Sequence, residues 1–284
     1  MCGTCGCSGE AVVTLVSGEH AVPHWHDEHD EHGVDGRHGA GGERGAHVHV
    51  LDSADGSRTV ELQQRVLARN DDLAAANRDW LRERGIAAVN LMSSPGAGKT
   101  TLLERTAREL SGRLSISVVE GDQETTIDAQ RVRAAGCRVV QINTGSGCHL
   151  DAAMVGRALR ALEPPDGSLV IIENVGNLVC PGLFDLGEAA RVVIASVTEG
   201  ADKPAKYPHM YRQANLVLLN KTDLMPYLDF DAERYARDLR LVSPEAALLP
   251  VSAVSGTGLP AWYDWLCDRG SGCSRILSSS GTGS

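Results

Sequence analysis

A mostly apolar run that leads into a glycine-rich loop constrains this chain more than any other feature of its sequence. Residues 86–92 precede the loop Ser93-Ser94-Pro95-Gly96-Ala97-Gly98-Lys99-Thr100-Thr101. In a loop of this type, backbone N–H groups bind phosphates, the lysine reaches the β- and γ-phosphates, and the threonine hydroxyl binds Mg²⁺. Ser93 stands where the strict motif has glycine. The sequence still predicts a nucleotide-binding loop between a strand and a helix, with the nucleotide contacts made by residues 94–101.

Further short apolar runs follow at intervals that leave room for a helix between them. They are residues 116–119, 139–142, 169–172, 192–197, 216–219 and 248–251. Continuous apolar strands joined by helices are typical of a mostly parallel sheet with helices on both faces. We therefore predict an α/β nucleotide-binding domain over residues 86–266.

Two loops at predicted strand ends indicate which base is bound. Asn220-Lys221-Thr222-Asp223 follows the run 216–219, and Ser252-Ala253 follows the run 248–251. An aspartate carboxylate at such a position accepts both the N1–H and the exocyclic amine of guanine, whereas adenine has a bare N1 acceptor and no such amine. The sequence predicts GTP rather than ATP, with Asn220, Lys221, Asp223, Ser252 and Ala253 in the base site.

Magnesium needs acidic ligands besides Thr100. Asp122 follows the run 116–119, Glu173 follows the run 169–172, and Asp128 is a third candidate. The alternative for each is a solvated loop acid. We predict Thr100, Asp122 and Glu173 as the Mg²⁺ site, and Lys99 and Asp122 as the catalytic residues.

Three cysteines crowd the start of the chain, at Cys2, Cys5 and Cys7. With the terminal amine they form a set of four ligands, which suits Ni²⁺ or Cu²⁺ when flat and Zn²⁺ when tetrahedral. Glycines between them let the short backbone wrap around an ion. A zinc knuckle or a redox Cys-x-x-Cys motif is the alternative to a tight metal site.

Histidines are concentrated between residues 20 and 49. They are His20, His24, His26, His29, His32, His38, His47 and His49. Histidines at irregular spacing among acids bind borderline metals weakly, which predicts a metal store. A tract without function is the alternative.

A third group of metal-binding residue types lies inside the predicted domain. Cys148 and His149 follow one strand, and Cys180 follows another. Loops that follow parallel strands emerge at the same edge of the sheet, beside the nucleotide. A lone buried cysteine is usually a small apolar residue, but a Cys-His pair facing a second cysteine is better explained as a metal site.

The ends of the chain differ in composition from the centre. Residues 1–50 are rich in glycine, histidine and acids, which predicts a largely disordered metal-binding tail. Residues 51–85 are predicted to contain an amphipathic helix that packs on the domain. Its apolar positions are Leu62, Val66, Leu73, Trp80 and Leu81. The Gly/Ser-rich residues 267–284 are predicted to be a disordered tail.

Charge and hydropathy exclude several classes of partner. The formal net charge is -10, which argues against general affinity for nucleic acid or anionic membranes. No apolar stretch approaches the roughly 20 residues that cross a bilayer, and no secretory signal is visible. We therefore expect a cytoplasmic protein, where clustered cysteines favour metal chemistry over disulfides.

With these residues in view, the chain resembles the HypB family, GTPases of the SIMIBI class that help insert nickel into [NiFe]-hydrogenase. The resemblance covers about residues 86–266 and the first seven residues. Its motifs are Cys2/Cys5/Cys7, residues 94–100, Asn143-Thr144-Gly145, Cys148-His149-Leu150-Asp151, residues 173–181, Thr198-Glu199-Gly200, Lys206-Tyr207-Pro208-His209 and residues 220–223.

The resemblance implies specific metals and partners. Cys2, Cys5 and Cys7 match a tight nickel site, and Cys148, His149 and Cys180 match a weaker nickel or zinc site at a homodimer interface that nucleotide or metal promotes. It implies slow GTP hydrolysis that gates metal transfer. The HypA metallochaperone and the hydrogenase large-subunit precursor are the implied partners.

Two other functions remain open from the sequence. In the first, the chain stores nickel and its nucleotide-binding domain serves only for dimerisation. In the second, it is a related P-loop metallochaperone for urease or for a cobalamin enzyme.

Overall fold

We describe the protein from a computed structural model, which covers residues 12–15, 53–122, 126–145 and 147–270, with the side chains of the first helix from residue 64 onward. Of the described residues, 12–15, 67–122, 126–145 and 147–270 belong to one compact unit, which contains the sheet. The second unit, residues 17–66, is described only for residues 53–66, the N-terminal part of the first helix.

The centre of the molecule is an eight-stranded sheet in the order β1-β4-β3-β5-β2-β6-β7-β8. β1 pairs antiparallel with β4, and every other neighbouring pair is parallel. The strands are β1 (Val12–Leu15), β2 (Ala87–Ser93), β3 (Ile116–Asp122), β4 (Arg138–Asn143), β5 (Leu169–Glu173), β6 (Ala190–Ser196), β7 (Leu216–Asn220) and β8 (Ala247–Pro250). Each predicted strand is therefore present, and the predicted α/β class is confirmed.

Helices cover both faces of the sheet. They are α1 (Ser53–Glu83), α2 (Lys99–Glu109), α3 (Ile127–Ala134), α4 (Ala152–Leu162), the single turns α5 (Lys203–Lys206) and α6 (Pro208–Tyr211), α7 (Ala232–Val242) and α8 (Leu259–Cys267). Three 3₁₀ segments, Cys180–Leu183, Val197–Glu199 and Thr222–Tyr227, lie in loops after strands. Within the described residues, no helix is both long and apolar enough to cross a membrane.

The core divides into layers that follow the alternation of the strands. One face packs against α2, α3 and α8, with Leu102, Val132 and Trp262 buried there. On the opposite face, Leu159 of α4 and Leu81 of α1 are buried against β3, β4 and β5, and Tyr235 of α7 is buried against β6 and β7. Parallel strands buried on both faces explain the continuous apolar runs in the sequence.

The edge strand β1 was not predicted. It lies within the segment that the sequence analysis assigned to a tail, and it pairs with β4 so that Val13 faces Ile142. Val13 packs on the core, whereas Val12 and Leu15 are exposed. Four residues with one inward side chain carry too little periodicity to be recognised alone. The rest of the predicted tail, and residues 271–284 of the predicted C-terminal tail, lie outside the described residues.

The packed face of α1 differs from the apolar stripe that was predicted. Val66 and Leu73 are exposed, and Leu62 lies outside the described side chains. The buried face instead carries Asn70, Ala74, Asn77 and Leu81, with Trp80 at its margin. The spacing of these four residues is that of one helix face, but two of them are polar.

The two asparagines of α1 are buried because they bond to backbone groups in loops. Asn77 Nδ2 donates to the carbonyls of Ala152 at 2.8 Å and Leu186 at 3.1 Å. Asn70 Nδ2 donates to the carbonyl of Asp185 at 2.7 Å, and its Oδ1 accepts from Ala152 N at 2.9 Å. A pattern of apolar residues could not reveal this face, since hydrogen bonding makes polar burial favourable.

Replacing Asn77 with alanine is expected to lower the free energy of unfolding by about 2 kcal/mol, because two buried carbonyls lose their donor. Urea denaturation measures the change. The exposed Arg82, which pairs with Asp79 one turn away, provides a control: Arg82→Ala should change stability by less than about 0.5 kcal/mol. Equal effects of the two substitutions would contradict this account of α1.

Candidate nucleotide and metal sites

The predicted phosphate loop lies between the end of β2 at Ser93 and the start of α2 at Lys99. Gly96 and Gly98 have φ values of 75° and 96°, a region that favours glycine. Gly98 is doubly constrained, since a Cβ there would lie 2.6 Å from Nδ2 of Asn220. The loop therefore turns tightly against the predicted base loop and exposes backbone N–H groups at the start of a helix, where anions bind.

Lys99 and Thr100 both contact the acid at the end of β5. Thr100 Oγ1 donates to Glu173 Oε1 at 2.8 Å, and Lys99 Nζ lies 4.0 Å from the same oxygen. Glu173 is 3% exposed. Burial raises the pKa of Glu173, while Lys99 and the bond from Thr100 lower it. Two residues predicted from the glycine-rich loop motif and one acid predicted from a different strand end therefore meet at one point beside the phosphate loop.

A fourth group at this point, Glu120, was not among the predicted residues. It pairs with Glu173 across β3 and β5 and is 2% exposed. Burial raises the pKa of Glu120 to about 9, with further contributions from Glu173, Asp128 and Asp122, and Lys99 opposes them. Strand register brings the two glutamates side by side. Glu120 lies two residues before the predicted acid Asp122, within β3, and its acidic side chain in an apolar strand was the available signal.

The carboxylate oxygens of these acids are suitable ligands for a divalent cation. Glu120 Oε2 and Glu173 Oε2 are both buried and accept no hydrogen bond from any described residue. Asp122 and Asp128 lie near enough to raise the pKa values of both glutamates. Oxygen donors without partners are what Mg²⁺ takes up. Thr100, Glu173 and Asp122 would hold Mg²⁺ together with the nucleotide phosphates, and the ion would neutralise phosphate charge there.

The buried Glu120 makes the stability of the nucleotide-free protein depend on pH. Its pKa is about 9 in the folded state against 4.5 as the ordinary value. Between those values the folded protein holds a proton that the unfolded chain has lost, so stability falls as pH rises. Glu120→Gln cannot ionise, so its stability should decline less between about pH 6 and about pH 8.5. Thermal unfolding without Mg²⁺ tests this, with the exposed Glu83→Gln as control. Parallel pH curves for wild type and Glu120→Gln would contradict it.

The predicted base loops meet behind the phosphate loop. Asn220 Nδ2 donates to the carbonyl of Ala97 at 2.9 Å, and its Oδ1 accepts from Ala253 N at 3.1 Å. Lys221 adopts a left-handed φ of 62° and donates from Nζ to the carbonyl of Gly96 at 2.7 Å. Asn220 therefore joins both loops, and Lys221 lies across the phosphate loop.

Asp223 is oriented by the second base loop. Ser252 Oγ donates to Asp223 Oδ1 at 2.5 Å. The hydroxyl of Thr222 donates to the carbonyl of Val251 at 2.9 Å, which ties the same two loops together. Ser252 and Asp223 were both predicted for the base site, and the structure brings them into direct contact.

Arg105 of α2 supports the base loop and was not predicted. Its Nη1 donates to the carbonyls of Ala253 at 3.1 Å and Val254 at 2.7 Å. The guanidinium also lies so close to Gly256 that a Cβ there would be 2.6 Å from Nη2. No local signal marks an arginine in a helix for such a role, because its partners lie about 150 residues away in sequence.

Cys148, His149 and Cys180 form the third predicted site. Cys148 Sγ lies 3.0 Å from Cys180 Sγ and 3.6 Å from His149 Nδ1. Both cysteines are in the thiol form rather than in a disulfide. Within the described residues this is the one group of at least three Cys, His, Asp or Glu side chains whose ligand atoms all lie within 4.8 Å of one another. Two sulfurs and one imidazole nitrogen suit Zn²⁺ or another borderline metal, with a further ligand position open.

An aromatic ring holds the histidine of this cluster. His149 stacks on Phe184, with ring centroids 3.9 Å apart. Burial lowers the pKa of His149, and Asp151 opposes the shift. A lowered pKa favours the neutral imidazole, which is the form that binds metals. The other predicted metal ligands, Cys2, Cys5, Cys7 and the histidines between residues 20 and 49, lie outside the described residues.

The parallel sheet, the phosphate loop and the guanine-type base loop together define a P-loop GTPase. The family model described as CobW/HypB/UreG, nucleotide-binding domain, matches residues 87–250. The chain belongs to this family, and within it to the HypB group, as the relatives below show.

The relatives are hydrogenase maturation factors. The chain is 52% identical to HypB of Rhizobium leguminosarum bv. viciae over 78% of this chain and 74% of the relative. It is 42% identical to HypB of Escherichia coli (strain K12) over 94% of this chain and 98% of the relative. The crystal structure of Helicobacter pylori HypB in complex with nickel matches at 38% identity with a TM-score of 0.67, over 73% of this chain and 99% of that one.

Proposed function

We propose that this chain is a GTP-hydrolysing nickel metallochaperone that supports insertion of nickel into the large subunit of [NiFe]-hydrogenase. Its nucleotide state gates metal transfer and dimerisation. GTP hydrolysis is slow, because its purpose is timing rather than flux. The protein acts in the cytoplasm with the HypA metallochaperone and the hydrogenase large-subunit precursor. The names of the relatives and the nickel complex of one of them support this proposal.

The observation that carries the proposal is the short link between the two sites. Glu173, which contacts Lys99 and Thr100, is seven residues from Cys180 in the chain. Cys180 in turn lies against Cys148 and His149. A ligand that moves the end of β5 therefore acts on a segment that carries a metal ligand.

In the proposed reaction, water attacks the γ-phosphate of GTP and yields GDP and phosphate. The backbone N–H groups of residues 94–101 hold the phosphates in place. Lys99 places its positive charge where negative charge develops on the phosphate oxygens. Asp122, at the end of β3, is proposed to orient the attacking water. When bound, Mg²⁺ would add further charge neutralisation at the phosphates.

Nickel is the cargo rather than a resident cofactor. Cys2, Cys5 and Cys7 are proposed as a tight nickel site and the histidines between residues 20 and 49 as a weak store. The Cys148/His149/Cys180 cluster is proposed to bind nickel or zinc at the dimer interface. Two loop conformations, with and without the γ-phosphate, would give this cluster two metal affinities.

Nickel titration in the presence of a non-hydrolysable GTP analogue or GDP tests the proposal. The full-length chain with Cys2, Cys5 and Cys7 all changed to alanine removes the terminal thiolates. Sulfur-to-nickel charge-transfer absorption then reports only nickel that is bound by thiolates. Nickel bound by the histidine tract, which has no thiolate, does not contribute to this signal. We expect affinities that differ by roughly fivefold or more between the nucleotides, within the usual range of coupled sites.

The control for this titration is the double variant Cys148→Ala/Cys180→Ala in the same background, which removes both thiolates of the cluster. It should abolish the charge-transfer band of the cluster and leave GTP hydrolysis in place. Equal nickel affinities in the presence of the GTP analogue and of GDP would contradict the proposal that the nucleotide gates metal transfer. A band that survives the double substitution would show that other thiols bind the metal.

A further inference from the structure

A buried asparagine links the nucleotide site to the metal cluster. Asn174 directly follows Glu173 and is 1% exposed. Its Oδ1 accepts from Leu150 N at 3.2 Å and from Val175 N at 2.9 Å. Leu150 is the residue after His149. The side chain of Asn174 therefore ties the end of β5 to the backbone of the segment that carries Cys148 and His149.

The other end of the same side chain leads to the segment after Cys180. Asn174 Nδ2 donates to Asn90 Oδ1 at 3.3 Å, and Asn90 Nδ2 donates to Glu188 Oε1 at 3.2 Å. Glu188 Oε2 accepts from Leu186 N at 2.7 Å. Asn90 is fully buried within β2, the strand that enters the phosphate loop.

An arginine connects this hydrogen-bond network to a residue that packs against the metal cluster. Arg191 Nε donates to Glu188 Oε1 at 2.6 Å, and its Nη2 donates to the carbonyl of Phe184 at 3.4 Å. Phe184 is the residue whose ring stacks on His149. Hydrogen bonds that start at the backbone next to His149 therefore return to the residue that packs against its ring.

Such a network is costly in an apolar core unless its geometry is kept. Asn90 and Asn174 lie among the valines, leucines and isoleucines of β2 and β5, where an unpaired amide loses free energy. Each of the two side chains is bonded at both its oxygen and its nitrogen. A buried network that is satisfied in one arrangement resists small shifts and rigidifies the groups that it joins.

We propose that Asn174 is a positioning residue that transmits the position of Glu173 to the Cys148-His149 segment and so sets the metal affinity of each nucleotide state. This inference rests on the proposed gating function and names the side chain through which it acts. A shift of Glu173 moves the adjacent Asn174 backbone, and the bond from Leu150 N makes the metal-bearing segment follow.

The chain offers a matched control in Asn70 of α1. Asn70 is also a buried asparagine, and it also bonds to backbone groups beside the two metal-bearing segments, at Ala152 and Asp185. It has no bond to the end of β5. Loss of Asn70 therefore loosens the same loops without cutting the connection to Glu173.

The test is the nickel titration described above, carried out on the full-length chain with the Cys2, Cys5 and Cys7 substitutions. We expect Asn174→Ala to reduce the affinity ratio between GTP analogue and GDP from roughly fivefold or more to below about twofold. Asn70→Ala should keep the ratio of the parent protein, even where it lowers both affinities. Thermal unfolding shows whether each variant is folded, and Asn174→Ser replaces Asn174→Ala if the alanine variant does not fold.

Three results would overturn the inference, and they are distinguishable. If the parent protein has equal nickel affinities in both nucleotide states, the gating function itself is wrong and this role falls with it. Two other outcomes would show that only the role of Asn174 is wrong, provided that the parent protein has different nickel affinities in the two nucleotide states. In the first, a folded Asn174→Ala or Asn174→Ser variant keeps the affinity ratio of the parent. In the second, Asn70→Ala reduces that ratio as much as the Asn174 variant does.

Discussion

Lys99→Ala is expected to lower kcat for GTP hydrolysis by roughly 100-fold or more, which is the usual cost of removing one preorganised group that stabilises transition-state charge. Lys99 begins α2, and its side chain is 12% exposed. Its ammonium lies beside Glu173, at the loop where the phosphates would bind. Alanine leaves the loop backbone unchanged but removes this charge. Phosphate release at saturating GTP measures the effect.

The control for this variant is Arg82→Ala, which removes an exposed positive charge that precedes β2, whereas the phosphate loop follows the other end of that strand. It should leave kcat within about twofold of wild type, as surface substitutions usually do. Hydrolysis by Lys99→Ala at the wild-type rate would show that the phosphates bind elsewhere.

The same variant separates the proposed function from nickel storage. If the nucleotide-binding domain serves only for dimerisation, Lys99→Ala should support hydrogenase maturation in cells, and deletion of residues 20–49 should abolish it. The proposed function predicts that Lys99→Ala abolishes maturation. Hydrogenase activity in a strain that depends on this chain decides between them. Parallel assays of urease and of a cobalamin enzyme address the remaining alternative.

Asp223→Asn is expected to weaken GTP binding by roughly 10- to 100-fold, the equivalent of one hydrogen bond to a charged group. The carboxylate is oriented by Ser252, which donates to Oδ1. In the variant, an amide N–H₂ replaces one acceptor and faces the N–H donors of guanine. Equilibrium binding of a fluorescent GTP analogue measures the loss.

Xanthosine triphosphate makes this prediction specific to the base. Xanthine carries a carbonyl where guanine has its exocyclic amine, so the new amide can donate to it. Asp223→Asn should therefore bind xanthosine triphosphate more tightly than GTP, in reverse of the wild type. Asp229→Asn, an exposed aspartate nearby in the chain, should leave the preference unchanged. A variant at Asp223 that still prefers GTP would place the guanine edge elsewhere.

The elements that were predicted correctly have local causes. The strands β2 to β7 are apolar because both faces of the parallel sheet are covered there, so each of these runs was visible without knowledge of its neighbours. The phosphate loop is likewise defined by residues that are adjacent in the chain. Cys148, His149 and Cys180 could be grouped because loops after parallel strands emerge at one edge, and the structure brings their ligand atoms together.

The residues that were missed have partners distant in sequence. Asn77 was not predicted as part of the packed face of α1, because its donor groups are satisfied by carbonyls at Ala152 and Leu186. Glu120 was overlooked because its role depends on strand register with Glu173. Arg105 reaches a loop about 150 residues further on. No local sequence pattern predicts that polar side chains at these positions are buried.

The sequence by itself determined the class of fold, the loop motifs that follow β2, β7 and β8, and the residue types of the predicted metal cluster, since apolar runs and short motifs are properties of neighbouring residues. Only the tertiary structure decided which face of α1 is buried, that two glutamates lie side by side at the end of the sheet, and that Asn174 joins the end of β5 to the segment that carries Cys148 and His149. These features depend on hydrogen bonds and desolvation between elements, which arise only when the chain brings distant residues into contact.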